Sequence, residues 1–250
     1  MREKTIFNEL FALCSLANFQ TGSTHKLRFA VQEECFKLNQ VSRTFNDNRQ
    51  HDAAEFLNSS IEHLFGKNNH LKEEVFGGLC QKTLFCQCSQ TDTLQIENCP
   101  EILPLEIIGT TLEECIEHFL SPQEIERRCP NCQSEASTQV SSFIKNPRTL
   151  IFQLNRFEFH QHLNRVSKKH NTLLIPKSFQ LPLGASYKLK SIINHVGETP
   201  YSGHYTCLLS EHEEDLFVLV DDENIVRSVR FDENLSQQAY IITYVQDIDG

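Results

Sequence analysis

Two stretches in the first third of the chain have apolar residues at the spacing of an amphipathic helix. Residues 3–17 show this spacing, and residues 49–65 show it more clearly, with apolar positions at Ala53, Phe56, Leu57, Ile61 and Leu64. Positions three and four apart lie on one side of a helix, so the stripe would face a core. Asn48 or Asp52 stands in place to cap the second stretch. The pattern predicts two helices before residue 66.

The pattern changes after residue 76, where Gly77 and Gly78 interrupt the helical spacing. Residues 83–94 alternate as in a strand, and residues 112–119 predict a short helix with Thr110 and Thr111 positioned to cap it. Pro and Gly then separate six β-rich stretches: 138–143, 149–157, 188–195, 205–210, 217–221 and 239–245. Helices followed by an antiparallel β-rich half predict an α+β fold, in a single domain over residues 1–250.

Composition and charge exclude several classes of protein. A net charge of −10 argues against nucleic acid as the main partner and suits a basic protein partner. The sequence has no run of about 18 apolar residues, so it predicts no transmembrane helix and no membrane partner. Its first residues lack the apolar core of a secretory signal, which predicts an intracellular protein of the cytoplasm or nucleus.

The ten cysteines predict a metal site and free thiols, not a disulfide framework. Cys129 and Cys132 have the spacing of a zinc knuckle, and Cys86 and Cys88 form a second, more closely spaced pair. Four thiolates without an open coordination position would hold a structural zinc ion. Cys80 is an alternative ligand. The alternative interpretation is a set of unrelated buried thiols.

A histidine and two carboxylates lie one hairpin apart in the second half of the chain. His204 stands between Gly203 and Tyr205, and Asp221 and Asp222 follow the next β-rich stretch. Hydrolytic enzymes with a nucleophile use an imidazole that transfers protons and a carboxylate that orients it. Strand alternation places the two aspartates on opposite faces, so they cannot share one role. The alternative is a surface-turn histidine near a solvated acidic turn.

Several short motifs follow one another along the chain: residues 50–56 (QHDAAEF), 129–132 (CPNC), 146–151 (NPRTLI), 154–157 (LNRF), 195–205 (HVGETPYSGHY), 217–222 (FVLVDD) and 239–244 (AYIITY). Together they resemble the ubiquitin-specific protease family, which are papain-like cysteine deubiquitinases. The resemblance implies a fold of fingers, palm and truncated thumb. The fingers and zinc region would cover about residues 76–145, and the palm about residues 146–248.

The resemblance also implies a reaction, which is hydrolysis of the bond after the C-terminal glycine of ubiquitin. His204 would be the general base, Asp221 would orient its imidazole, and Asp222 would help to hold water or the oxyanion. His195 occupies a position that is structural in the family. Ubiquitin or ubiquitinated proteins would be the partners.

The family's helix-start motif implies a substrate-binding role for Gln50, Asp52 and Glu55. Asp52 would contact the basic C-terminal tail of ubiquitin. An acid at the start of a helix also interacts favourably with the helix dipole, so Asp52 has a capping role as its alternative. His51 replaces the second glutamine of the family motif.

The family's nucleophilic cysteine lies in a box that this sequence does not contain, because the sequence begins with the segment that follows the box. Cys14 lies on an apolar helical face, and Cys35 follows two glutamates that would raise its thiol pKa. Cys207 lies three residues after His204, which turns it to the opposite strand face. Two more thiols lie in the finger region, Cys99 and Cys115. We therefore expect no hydrolysis by these 250 residues.

Two explanations fit the missing cysteine box. The chain is an incomplete copy of a longer active enzyme or a shortened gene product, or it is a pseudo-protease that binds ubiquitin without cleaving it. Met1 is the only methionine, which fits a translated start. A zinc-ribbon interaction module is the remaining alternative.

Overall fold

The structure is a computed structural model that describes residues 51–65, 69–86, 88, 93–129, 131–200, 202–211, 216–221, 224–232 and 236–247. The helix predicted over residues 3–17 lies outside these ranges. The described helices are α1 (Ala53–Phe65), α2 (Asn69–Phe76) and α3 (Leu112–Leu120), with a short 3-10 helix at Gln161–Leu163. Among the described helices, none is both long and apolar enough to cross a membrane.

Helices α1 and α3 begin at side chains that cap them. Asp52 Oδ1 accepts hydrogen bonds from the backbone N–H groups of Ala54 (2.9 Å) and Glu55 (3.0 Å), so Asp52 is the cap of α1. Of the two threonines before α3, Thr111 is the N-cap, and it forms a reciprocal capping box with Glu114. The helices predicted over residues 49–65 and 112–119 are thus confirmed, although α1 begins only at Ala53.

The described residues also form fourteen strands: β1 (Leu79–Phe85), β2 (Thr93–Asn98), β3 (Ile102–Leu105), β4 (Gln123–Glu126), β5 (Ala136–Lys145), β6 (Thr149–Leu154), β7 (Phe157–His160), β8 (Arg165–Lys168), β9 (Ser178–Gln180), β10 (Ser186–Thr199), β11 (Ser202–Ser210), β12 (Leu216–Asp221), β13 (Asn224–Arg230) and β14 (Ala239–Gln246). The large sheet has the order β13-β12-β11-β10-β14-β6-β3, with β9 also paired to β10. All its pairs are antiparallel except β3 with β6.

A smaller sheet has the order β2-β1-β5-β4, and the hairpin β7–β8 stands apart from both sheets. The single strand predicted over residues 83–94 is wrong, because β1 ends at Phe85 and β2 begins at Thr93. The connection between them contains Cys86 and Cys88. The strand predicted over 149–157 is likewise interrupted after Leu154.

The central strands of the large sheet are covered on both faces. Neighbouring residues of one strand pack in two different hydrophobic cores. Ile241 belongs to the core that contains residues of α1, and Ile242 belongs to the core that contains residues of α3. The same division separates Ile192 from Ile193 in β10. Residues 239–244 are consequently all buried, as expected for a strand enclosed by two layers. This arrangement confirms the predicted α+β fold.

Arg156 is a charged residue within this apolar interior, and it is fully buried. Its guanidinium donates hydrogen bonds to four backbone carbonyl groups, those of Lys169 (2.9 Å), Asn171 (3.0 Å), Gln237 (3.4 Å) and Ala239. Burial lowers the pKa of Arg156 to about 10. The side chain therefore joins the end of β8 to the segment that enters β14.

Candidate active site and metal centre

His204 and Asp221 lie on neighbouring strands of the large sheet and are in direct contact. Nε2 of His204 is 2.5 Å from Oδ1 of Asp221. Both side chains are a little over 40% exposed, at 42% and 44%. Nδ1 of His204 makes no hydrogen bond with any residue in the described ranges. The imidazole therefore has one nitrogen fixed by a carboxylate and the other directed away from it.

Asp222 lies outside the described residues, and so does Gln50. Their predicted roles stay predictions. Asp221 is the last residue of β12, and Asn224 begins β13 opposite it. The carboxylate that contacts His204 thus lies at the end of β12, next to the turn that leads into β13.

In the hairpin that carries His204, Gly197 and Gly203 lie very close to groups of the opposite strand. A Cβ atom on Gly203 would lie 2.4 Å from Nε2 of His195, and one on Gly197 would lie 2.7 Å from the backbone oxygen of Ser202. The β10–β11 register shifts between Val196 and Thr199, so the strand bulges at this point. Only residues without a side chain fit such a close backbone contact.

His195 lies beneath this hairpin and is buried, with 1% of its surface exposed. Its ring contacts the rings of Phe157 (centroids 5.3 Å apart) and Tyr205 (4.9 Å). Burial first, and the Lys168 cation second, lower the pKa of His195 to about 4, although the Asp52 carboxylate acts in the opposite direction. His195 is therefore a neutral ring packed under the strand of His204.

Asp52 reaches the same region from the start of α1. Its Oδ2 accepts a hydrogen bond from the hydroxyl of Tyr240, whose oxygen in turn accepts one from the Gln153 amide at 2.8 Å. The backbone N–H of Ala53 donates to the hydroxyl of Tyr205, the residue after His204, at 3.3 Å. The predicted substrate-binding helix start and the predicted histidine motif thus meet.

Glu55, the other described member of the predicted substrate-binding set, has an exposed side chain. It lies on the first turn of α1, and only its backbone N–H takes part in the cap formed by Asp52. An exposed carboxylate at the helix start is in position to meet a cationic ligand from solution.

Lys168 was not singled out from the sequence, although it lies at the centre of this region. The side chain is 8% exposed, and its ammonium group donates to the carbonyl groups of His195 (2.7 Å) and Gly197 (2.8 Å) and to Oε1 of Gln238 (2.7 Å). Burial, followed by the Arg156 charge, lowers the pKa of Lys168. No local pattern marks this residue, because all of its partners are distant in sequence.

The four cysteines of the predicted metal site come together at the tip of the smaller sheet. Their sulfur atoms all lie within 4.8 Å of one another, and the shortest separations are 3.3 Å (Cys86 to Cys132) and 3.8 Å (Cys88 to Cys129). Tetrahedral coordination with metal–sulfur bonds of about 2.3 Å places sulfur atoms roughly 3.8 Å apart. The four thiols fit a metal ion, and the Cys-x-Cys pair contributes both of its sulfurs.

Cys80, the predicted alternative ligand, does not belong to this cluster. It forms a disulfide with Cys99, across Cα atoms 5.4 Å apart. The expectation of free thiols is therefore wrong for this pair. Cys80 faces Glu97 in the β1–β2 register, and the backbone N–H of Cys99 bonds to Gly78, so the hairpin brings the two sulfurs together.

Sequence comparison identifies the relatives of this chain. The family model described as ubiquitin carboxyl-terminal hydrolase matches residues 32–244. Ubiquitin carboxyl-terminal hydrolase 36 of Drosophila grimshawi is 26% identical over 86% of the chain and 19% of its own length. Ubiquitin carboxyl-terminal hydrolase 19 of Arabidopsis thaliana is 24% identical over 95% of the chain and 39% of its own length. The chain thus spans less than half the length of these relatives.

Solved structures show the same fold. The SAGA DUB module Ubp8/Sgf11/Sus1/Sgf73 bound to monoubiquitin matches with a TM-score of 0.75 at 20% identity, covering 98% of this chain and 59% of that chain. The module bound to ubiquitin aldehyde gives a TM-score of 0.74 at 19% identity, with 98% and 60% covered. With the family match over most of its residues, the chain belongs to the ubiquitin carboxyl-terminal hydrolase family and has the fold of the ubiquitin-specific proteases.

Proposed function

We propose that this chain is the base-carrying and ubiquitin-binding part of a cysteine-type deubiquitinase, an enzyme that hydrolyses the bond after the C-terminal glycine of ubiquitin. One observation carries the proposal, the contact of His204 Nε2 with Asp221 Oδ1, which leaves Nδ1 unbonded among the described residues. A carboxylate on one ring nitrogen fixes the tautomer and orients the other nitrogen toward a nucleophile.

We propose a direction for each proton transfer. Asp221 accepts the N–H of Nε2, so the neutral ring carries its lone pair at Nδ1. That lone pair would take the thiol proton as the thiolate attacks the carbonyl carbon, and the imidazolium would return the proton to the leaving amine. Water activated by the same nitrogen would then hydrolyse the thioester. Asp222, next in sequence, is proposed to help hold that water or the oxyanion.

The attacking thiolate is proposed not to be any of the ten cysteines. Among the eight described ones, four form the sulfur cluster and two form the disulfide. Cys115 is a buried residue of α3, and Cys207 is buried on the strand face opposite His204. The remaining two, Cys14 and Cys35, lie outside the described residues, and their sequence settings do not favour a thiolate. The 250 residues alone would therefore bind ubiquitin without hydrolysing it.

Substrate binding is proposed at the start of α1 through Gln50, Asp52 and Glu55. The helix start lies beside Tyr205, directly after His204, so a basic tail bound there would enter near the imidazole. The net charge of −10 complements a cationic tail. The two solved neighbours are ubiquitin complexes, which supports ubiquitin as the partner.

The four-cysteine cluster is proposed to hold a structural zinc ion. All four positions of a tetrahedron would be filled by sulfur, which leaves no position for a water or substrate. The ion would join the β1–β2 connection to residues 129–132 and so fix the tip of the smaller sheet. We further propose that this sheet is the fingers region, at about residues 76–145, and that residues 146–248 are the palm of one domain.

The first test is labelling with ubiquitin that carries a thiol-trapping electrophile at its C-terminus, with mass spectrometry to locate any adduct. We expect no adduct on the folded chain, together with ubiquitin binding measured by titration calorimetry. Glu55→Gln should weaken that binding, whereas Glu117→Gln on the exposed side of α3 should not change it.

Each other outcome has a distinct meaning. An adduct that disappears in His204→Gln would show a working thiolate among the ten cysteines and overturn the proposed lack of turnover. Bound zinc without measurable ubiquitin binding would overturn the proposal as a whole and select a zinc-ribbon interaction module.

A further inference from the structure

We propose that Lys168 is a positioning residue for His204: its ammonium group fixes the backbone of the strand that pairs with His204 and so holds the imidazole against Asp221. The inference rests on the proposed role of His204 as the base. The pairing of β10 with β14 reaches only to Asn194, the register partner of Ala239. Beyond that residue, β10 continues to Thr199 with β11 on one side and no described strand on the other.

Lys168 supplies hydrogen-bond donors to the edge of β10 that no described strand pairs with. In an antiparallel ladder, successive residues present their backbone groups alternately to the two neighbouring strands. The carbonyl groups of His195 and Gly197, two residues apart, therefore point to the same edge, and both accept hydrogen bonds from Lys168 Nζ. Val196 between them presents its backbone groups to β11, where its register partner is His204.

The backbone of His195 is held from both of its polar groups. Its N–H donates to the carbonyl of Gln238 at 2.9 Å, while its carbonyl accepts from Lys168 at 2.7 Å. Gln238 also accepts from Lys168 through its side chain, at 2.7 Å. An ammonium group has three N–H donors, and these three oxygen acceptors are its shortest contacts, whereas Nδ1 of His195 lies farther from Nζ, at 3.4 Å.

The hydrogen bonds of Lys168 to His195, Gly197 and Gln238, called the clamp here, determine the position of the His204 backbone. Gly203 lies against the His195 ring and against the carbonyl of Val196, with a Cβ atom on Gly203 reaching 2.4 Å and 2.7 Å from them. A shift of the His195 backbone would therefore move Gly203 and the imidazole that follows it. Since a buried ammonium group without acceptors is costly, Lys168 has little freedom to leave this position.

The same contacts distinguish this role from simple packing. No described carboxylate pairs with Lys168, and its side chain crosses from hairpin β7–β8 to β10 and to the start of β14. Its acceptors are groups of His195 and Gly197, on either side of Val196, and of Gln238, directly before β14. A lysine that only stabilised the hairpin would bond to the hairpin itself.

The test is NMR of the chain with nitrogen-15-labelled histidine, at a pH about two units above the ordinary imidazole pKa. The wild type should show His204 with its proton on Nε2 and slow solvent exchange. In Lys168→Met the tautomers should become mixed, and exchange of the Nε2 proton should be roughly tenfold faster. Lys168→Arg should recover part of the wild-type signal, because it restores charge and donors.

Two further variants calibrate the readout. Asp221→Ala removes the acceptor directly and gives the signature of a released imidazole. Lys190→Met, on the same strand as His195, removes a lysine that makes no contact with the clamp and should leave the His204 signals unchanged. The experiment involves neither ubiquitin nor a thiol, so failure of the proposed function would be observed separately.

An unchanged tautomer and exchange rate in folded Lys168→Met would overturn the proposal. If that variant does not fold, Gln238→Met tests the proposal instead, because it removes only one acceptor of Lys168, the Gln238 side-chain oxygen. The proposal requires a smaller shift of the His204 signals in the same direction there, and an unchanged spectrum would refute it.

Discussion

Tyr240 donates a hydrogen bond to Oδ2 of Asp52, a residue 188 positions earlier in the sequence. The other oxygen of Asp52 caps α1, so a single carboxylate links the helix start to β14. Burial first, and then the Asp52 carboxylate, raise the pKa of Tyr240 well above its ordinary value. The phenol thus stays protonated and remains a donor.

Tyr240→Phe should lower the free energy of unfolding, because Asp52 and the Gln153 amide each lose a partner. We expect a loss of about 1–3 kcal/mol, measured by urea denaturation. Combination with Asp52→Asn, which keeps the cap, forms a double-mutant cycle. A coupling of about 0.5 kcal/mol or more is expected, and strictly additive effects would contradict the described contact.

The sulfur cluster makes a prediction about metal content. The purified chain should contain about one zinc ion, since four thiolates form one closed tetrahedral site. Cys132→Ser should lose that metal in elemental analysis and should weaken the smaller sheet toward proteolysis. Cys115→Ser is the matched control, a free buried thiol outside the cluster. Equal zinc in both variants would exclude the cluster as the binding site.

Buried His195 predicts a specific pH dependence of stability. Its pKa is about 4 in the folded chain, whereas an imidazole in the unfolded chain has a pKa of about 6.5. The unfolded state therefore binds the proton more tightly. The stability that depends on neutral His195 is complete above pH about 6.5 and is lost as the pH falls toward 4, by about 3 kcal/mol.

His195→Phe keeps an aromatic ring next to Phe157 and Tyr205 and removes the titration. The difference between the wild-type and His195→Phe unfolding free energies should thus change with pH between about 4 and 6.5. His162→Gln, at an exposed position, should show no such difference. A difference for His195→Phe that stays constant with pH would contradict the neutral buried state.

Arg156 predicts a large loss of stability on truncation. Arg156→Met would leave four buried carbonyl groups without their donor, and we expect the free energy of unfolding to fall by about 3–5 kcal/mol. Arg148→Met provides a matched control, because Arg148 forms a half-exposed ion pair with Glu74 at 3.1 Å. Its loss should cost less than about 1 kcal/mol. Similar losses in the two variants would show that the buried carbonyl contacts contribute little.

The sequence predicted the helices and strands that are marked by local features, such as a capping residue or a β-rich run. Helix α3 was predicted with two threonines in position to cap it, and the long strands β10, β11 and β14 were predicted from their β-rich composition. Strands β3, β4, β8 and β9 escaped prediction, because three or four residues carry too little periodicity to be recognised. The seven-residue strand β13 was missed as well.

The contacts between distant residues could not be predicted in the same way. The sequence placed His204 near Asp221 because one hairpin separates them, and the structure shows the two in contact, while their catalytic roles stay predictions. Lys168 and Tyr240 bond to groups that only the completed sheet brings near. The Cys80–Cys99 disulfide was missed because the strand predicted over residues 83–94 concealed the hairpin that joins them.

The position of β14 has a consequence for folding. This strand follows all the other described strands in sequence, yet it lies between β10 and β6 in the large sheet. Until residues 239–246 are in place, β3 and β6 have no pairing with β9 to β13, and two apolar strand edges stay open. Contacts of such high sequence separation slow folding. A nascent chain is therefore vulnerable to aggregation until β14 inserts, and a truncation before residue 239 would leave the sheet in two halves.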